Sequence, residues 1–376
     1  MTAPNVPNTY SSVNNPLIWV FYDANAINPA LFDYKYVAEV WVDGVKVYTE
    51  RAYPRPQGAF GIFDFAGVIR NYVKPVLAPA LTGVMVQQTD AGTFRTPAIV
   101  IKGREEYNGT VGAVVFTDID RFFYNHYNDR TDRIDGFKSI ITFLDKPLTS
   151  RGRNIDVMAA DTNYFLPYFA TTLTPFNVTI NGVTTAITPT VINSAQLINI
   201  TPPGILPDTY TAVINGETYN INNVCKGLYR NYKLHFLNKY GAFETMLFNK
   251  PSKRTIDIER KSFRKKEFQI DSSGLVNITI GEVRHEQTIQ YATRYGEKLK
   301  IQTDLISDED YQWLSQLILS PMVFLEDNGY GTGRDRALLP VTIKASNYEY
   351  KEWIVDRLTN LTVDLEFTGT VNVQYR

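Results

Sequence analysis

Strand-length runs of alternating apolar and polar residues, punctuated by turn dipeptides, fill most of this 376-residue chain and restrict it to β-rich folds. "PLIWVFYD", "YKYVAEVWVDGVKVYTERAY", "FNVTINGVTTAITP" and "LTNLTVDLEFTGTVNVQYR" all carry the period of two that buries one face of a strand. Asp43-Gly44, Asn181-Gly182 and Asn215-Gly216 supply two-residue hairpin turns. The 24 Tyr and 21 Phe suit pleated, half-buried surfaces and interfaces. The chain is long enough for two to four domains, each with its own core.

Two stretches break the strand pattern. In "SDEDYQWLSQLILSPMVFLED", Ser307 is an N-cap and Asp310 completes a capping box. Tyr311, Trp313, Leu314, Leu317 and Ile318 then form one apolar face, and Ser320-Pro321 ends the turn. The spacing predicts a helix over 307–319, with Trp313, Leu314, Leu317 and Ile318 as its structural core, bracing a β-barrel at about 2 kcal/mol per large buried side chain. "DFAGVIRNYVKP" predicts a second helix of about three turns, capped by Asp64 and stopped by Pro75. The echo predicts two related barrels.

The predicted fold is mainly β and multidomain: two β-barrel/sandwich domains, each with one short helix, plus an inserted immunoglobulin-like β-sandwich. Polar, Pro/Asn-rich residues 1–14 read as a flexible arm. Residues 15–112 form a barrel-like domain, 113–172 a connecting region and 226–376 the C-terminal barrel with the helix. Residues 173–225 form the small sandwich. Around it composition shifts sharply: 38 of the chain's residues are Lys or Arg, yet none lies between Asn154 and Cys225, where Thr, Asn, Ile and Val dominate.

Net charge of −1 gives no global attraction to a polyanion or anionic membrane. No run approaches 18 apolar residues, so no membrane insertion is predicted. The N-terminus has no basic or apolar signal region, which with the single Cys225 suggests cytosolic synthesis. His126, His235 and His285 lie in no metal-binding spacing, and Cys225 has no neighbouring His, so neither metal nor cofactor is expected. Phe122, Phe123, Tyr124 and Tyr127 read as core or interface. "EDNGYGTGRDR" precedes a strand rather than a helix and so reads as a hairpin loop, with Arg334 and Arg336 suited to a subunit contact. "KSFRKKEF" gathers Lys261, Arg264, Lys265 and Lys266, a candidate for subunit or nucleic-acid contact. Asp118 and Asp120 share a strand face, and a glycoside hydrolase would use such a pair. A solvated face is the plainer reading, and no catalytic constellation is complete.

The blocks carrying "FLNKYGAFETMLF", "WLSQLILSPMVFLED" and "LTNLTVDLEFTG" resemble tail-tip structural proteins of tailed bacteriophages, especially those of Bacteroidota hosts. The resemblance spans the two end blocks, about two thirds of the chain. It implies a non-enzymatic baseplate protein of the virion, distal-tail or hub-like, assembled in the bacterial host cytoplasm. Such a protein forms a homo-oligomeric ring linking the tail tube to fibres or receptor-binding proteins, with other tail proteins as partners and DNA passing through the channel. An alternative is a carbohydrate- or receptor-binding virion protein that stacks host glycan on Tyr210, Tyr219 and Trp353.

Overall fold

The computed structural model describes residues 1–73, 75, 77, 85–87, 97–124, 145–158, 164–190, 192–201, 208–224, 229–264, 268–270, 272–277, 279–280, 283–284, 288–327, 337–344, 358–367 and 371–373. The protein is mainly β, built from several sheets. None of these sheets closes into a barrel among the described residues, so the expected barrels are open layers instead.

The first layer pairs a three-stranded sheet with a four-stranded one. The former orders Thr2–Asn5, Ile18–Tyr22 and Phe60–Asp64; the latter orders Val45–Ala52, Lys35–Val42, Ile99–Tyr107 and Thr110–Asp120. Trp19, Phe21, Tyr36, Phe63, Phe65 and Phe122 fill the space between them. Asp43-Gly44 closes the Val42↔Val45 hairpin with φ of 45° and 84°, which only a turn tolerant of positive φ accepts. The strand Thr110–Asp120 runs straight through residue 112, so this sheet continues into the segment read as a connector.

Two expectations fail here. Residues 1–14 are not a free arm. Thr2–Asn5 pairs with Ile18–Tyr22, Ser11–Ser12 pairs in parallel with Phe122–Phe123, and Ser11, Ser12 and Val13 are buried. Asn and Ser here satisfy strand and turn geometry rather than solvating a tail. The second predicted helix is a single turn, Ala66–Ile69. Asp64 Oδ1 does accept from the Ala66 N–H, but it also ties down the Leu17 N–H. Gly67, β-branched Val68 and Asn71 then offer little helical propensity to extend the turn.

The middle layer is a sandwich. Its five-stranded sheet orders Asn154–Met158, Glu217–Val224, Thr209–Ile214, Phe176–Ile180 and Val183–Ile187. Its three-stranded sheet orders Phe165–Ala170, Ser194–Asn199 and Met85–Gln87. The Asn181-Gly182 and Asn215-Gly216 hairpins form as the sequence predicts. The unit draws strands from before residue 173 and one from the first block, which supplies the burial that about 55 residues alone would lack.

The C-terminal layer is one large sheet, ordered Phe243–Phe248, Tyr232–Leu237, Val323–Asp327, Ala337–Ile343, Thr362–Phe367, Thr288–Gln302 and Lys253–Arg264, with Val371–Val373 also paired to Thr288–Gln302. The helix Asp308–Leu319 lies on one face. Ser307 Oγ accepts from the Asp310 N–H at 3.2 Å and donates to the Asp310 carboxylate at 3.1 Å. Trp313, Leu314 and Leu317 are buried against Leu234, Phe236, Leu325 and Val363, with Ile318 half-buried at the margin. Leu237 and Phe243 of the same sheet meet Phe165 and Leu197 of the sandwich, so the two layers share a second core.

Candidate assembly surface

The last two strands of the large sheet leave its body as a ribbon. Lys253–Arg264 pairs with Thr288–Gln302 from Lys253↔Lys300 to Arg264↔Thr288. Thr362–Phe367 supports only Lys298–Gln302, and Val371–Val373 supports only Thr293–Tyr295. Every one of the 12 residues of Lys253–Arg264 is exposed. At about 3.4 Å per residue that edge is roughly 40 Å long. Ile256 and Ile258 stand 53% and 54% exposed, and Phe263 and Tyr291 are exposed beside each other with ring centroids 6.1 Å apart.

A break in register between Lys261 and Ser262 leaves Tyr291 without a directly opposed partner, which marks a β-bulge. Charges along the ribbon base are matched: Arg254 with Glu297, Lys298 with Asp257, and Lys300 with Asp364 at 3.9 Å. Of the predicted basic cluster, Lys261 and Arg264 sit exposed on the outer half of the ribbon, and neither forms an ion pair among the described residues. Lys265, Lys266, Arg334 and Arg336 lie outside the described residues. Nucleic-acid grooves present a track of unmatched cations. This ribbon carries paired charges at its base and a few cations further out that are unpaired among the described residues, interspersed with the exposed apolar side chains of Ile256, Ile258 and Phe263.

A buried polar cluster fastens the layers at the edge of the large sheet opposite the ribbon. Glu244, 3% exposed, accepts from Asn238 Nδ2 at 2.8 Å and from Trp313 Nε1. Burial raises its carboxyl above the ordinary range, opposed by these donors and by the Arg151 cation. Arg151 lies over the Trp313 ring at 4.6 Å and donates to the Tyr164 hydroxyl, which itself donates to the Thr245 carbonyl at 2.7 Å. Arg151 Nε is 3.9 Å from Asp310 Oδ1. On the other face, His235 contacts Thr245 Oγ1 at 2.9 Å and Glu326 at 3.1 Å, and so is a core residue. The detectable sequence signal was a polar residue inside an apolar strand, Glu244 in "AFETMLF" and His235 in "KLHFL". Arg151 carried no such mark.

The Asp118/Asp120 pair faces inward. Asp118 accepts from Trp19 Nε1 at 2.8 Å, and Asp120, 6% exposed, accepts from Thr9 Oγ1 at 2.7 Å. Both carboxyls are thus engaged by donors of the same layer, Asp120 at a buried position, so the pair does not stand as the two open carboxylates that glycoside hydrolysis uses. Burial, with the neighbouring Asp118 charge, pushes Asp120 up to about 7 from the ordinary 3.8. Between those values the folded chain holds a proton that the unfolded chain releases. The stability this group contributes is therefore fully present below pH 3.8 and lost as pH rises through about 7. Asp120→Asn is expected to flatten that part of the fall in urea midpoint; an unchanged slope would mean that Asp120 is ionised throughout.

Tyr210 and Tyr219, read as sugar-stacking residues, are 5% and 3% exposed and belong to the sandwich core. Phe122 and Phe123 are buried as expected. His126, His285, Cys225, Tyr127, Trp353 and the glycine-rich loop lie outside the described residues. Among the described residues, no group of three or more His, Cys, Asp or Glu is placed to hold a metal, and no helix is long and apolar enough to cross a membrane.

No family model matches the chain and no curated protein is similar to it. Among solved structures, extracellular domains 3–5 of Drosophila OTK align with 79% of this chain and 91% of that one, at 9% identity and a TM-score of 0.21. A likeness that slight carries no inference about fold or function.

Proposed function

We propose that this chain is a non-enzymatic structural protein that assembles with copies of itself, and that it serves in the virion of a tailed phage as a tail-tip ring. The observation that carries self-assembly is the ribbon, a long edge strand exposed over all 12 residues with Ile256 and Ile258 in the open. A monomer gains nothing from such an edge and risks aggregation through it. A ring protein uses it to add strands or apolar contacts from the next subunit. The tail-tip assignment rests on the resemblance of the end blocks, and virion localisation follows from that assignment.

Light scattering on the full chain is expected to give a mass several times 42.8 kDa. Ile256→Asp with Ile258→Asp is expected to return the mass to that of one chain. Both side chains are exposed, so the unfolding free energy of the single chain should change by no more than about 0.5 kcal/mol. A strict monomer at high concentration, or an oligomer indifferent to both substitutions, would remove the ribbon from the assembly. Labelling of tail tips in virion micrographs tests the tail assignment separately.

A further inference from the structure

We infer that the outer face of the five-stranded sheet is a binding surface for an uncharged polysaccharide, held by an array of amides, hydroxyls and the Asp156 carboxylate. Its alternate residues Ile155, Val157, Ala212, Tyr219 and Ile221 are buried in the sandwich core, which fixes the intervening ones outward. In register across three strands stand Asn154, Asn220 and Thr211, and beside them Asp156, Asn222 and Thr209, all exposed.

Side chains along each rung are already tied together. Asn220 Nδ2 donates to Asn154 Oδ1 at 3.2 Å, Asn222 Nδ2 donates to Asp156 Oδ1 at 3.1 Å, and Thr179 and Thr184 hydroxyls meet at 2.9 Å. Each donating amide keeps a second N–H and its oxygen for a ligand. Short side chains held in place lose little rotamer freedom when a ligand docks.

The chemistry of the face excludes the other long polymers. A nucleic acid requires cations, and no Lys or Arg occurs from Asn154 to Cys225. Arg153, at the rim, is paired to Glu217. A lipid surface requires an apolar or basic patch, and these rungs have neither. A protein partner would be met by aromatic or Arg anchors, but Tyr210 and Tyr219 point inward. Sugar hydroxyls both donate and accept, as amides and threonine hydroxyls do, so an uncharged glycan matches the array in kind. The absence of long flexible cations is itself unusual for an exposed surface, where mixed charge is the rule.

The inference does not depend on ring formation, since a monomer presents the same face. The full chain is passed over immobilised uncharged polysaccharides (starch, mannan, galactan, cellulose and chitin) and over the anionic polymers alginate and heparin. Retention is expected on at least one uncharged polymer, weakened at least about tenfold by Thr211→Lys with Asn220→Lys, equivalent to about 1.4 kcal/mol. The ribbon variant Ile256→Asp/Ile258→Asp should be retained chain for chain like the parent on a sparsely loaded matrix. Thr209→Gln, a milder enlargement of the same face, carries the same direction if the lysines disturb folding. Retention on none of the uncharged polymers, retention on the anionic ones alone, or retention untouched by the rung substitutions overturns the inference. A parent chain that is retained yet strictly monomeric would count against the ribbon only.

Discussion

Trp313→Ala is expected to lower unfolding stability by about 3–5 kcal/mol, read as a fall in urea midpoint of the C-terminal layer. Trp313 is 3% exposed and sits where three supports converge. Its ring packs against Phe236 at 5.4 Å, the Arg151 guanidinium covers it at 4.6 Å, and its indole N–H donates to the buried Glu244. Alanine therefore opens a cavity and also takes a donor from a carboxylate that burial already disfavours. Trp313→Phe separates the two effects: most of the volume stays, the donor goes, and the loss should shrink to about 1–3 kcal/mol. Equal losses for Phe and Ala would place the whole effect in the hydrogen bond. A loss below about 1 kcal/mol for Ala would mean that the helix does not brace the sheet.

The same residue illustrates what was legible in the sequence. The helix Asp308–Leu319 was readable because its cap, its apolar spacing and its Pro stop are all local. The Asn-Gly hairpins were readable for the same reason. Strand alternation also held the answer for Tyr210, which shares parity with Ala212 and Ile214, and for Tyr219, which shares it with Ile221. Reading those tyrosines as exposed gave weight to residue type over period. The docking of Ser11–Ser12 on Phe122–Phe123 was not readable, because it joins segments over a hundred positions apart with no pattern of its own. The ribbon was hidden for another reason: "TIDIER" has the alternation of a half-buried strand, yet both faces are open because neighbouring strands stop short. Where a sheet ends is set by all its strands together.

Arg151→Met is the second large expected loss, about 3–5 kcal/mol, and its dependence on pH identifies the cause. Arg151 is 9% exposed and bridges three segments: Tyr164 of the sandwich, Thr245 of the large sheet, and Trp313 and Asp310 of the helix. Methionine keeps much of the packing over the indole but withdraws the cation facing Glu244. Burial raises the Glu244 carboxyl above its ordinary 4.5 even with Arg151 in place. Without the cation the folded state holds that proton more tightly still. A carboxyl whose folded pKa is raised contributes stability present below the unfolded value and lost as pH rises through the folded one. The deficit of Arg151→Met relative to the parent should therefore be larger at about pH 8 than at about pH 5, where protonation relieves the unpaired charge. Arg151→Lys should recover the pH dependence but only part of the stability, since an ammonium cannot reach the Tyr164 hydroxyl while lying flat on the Trp313 ring. A deficit equal at both pH values would assign Arg151 a packing role and leave Glu244 neutral in the native state.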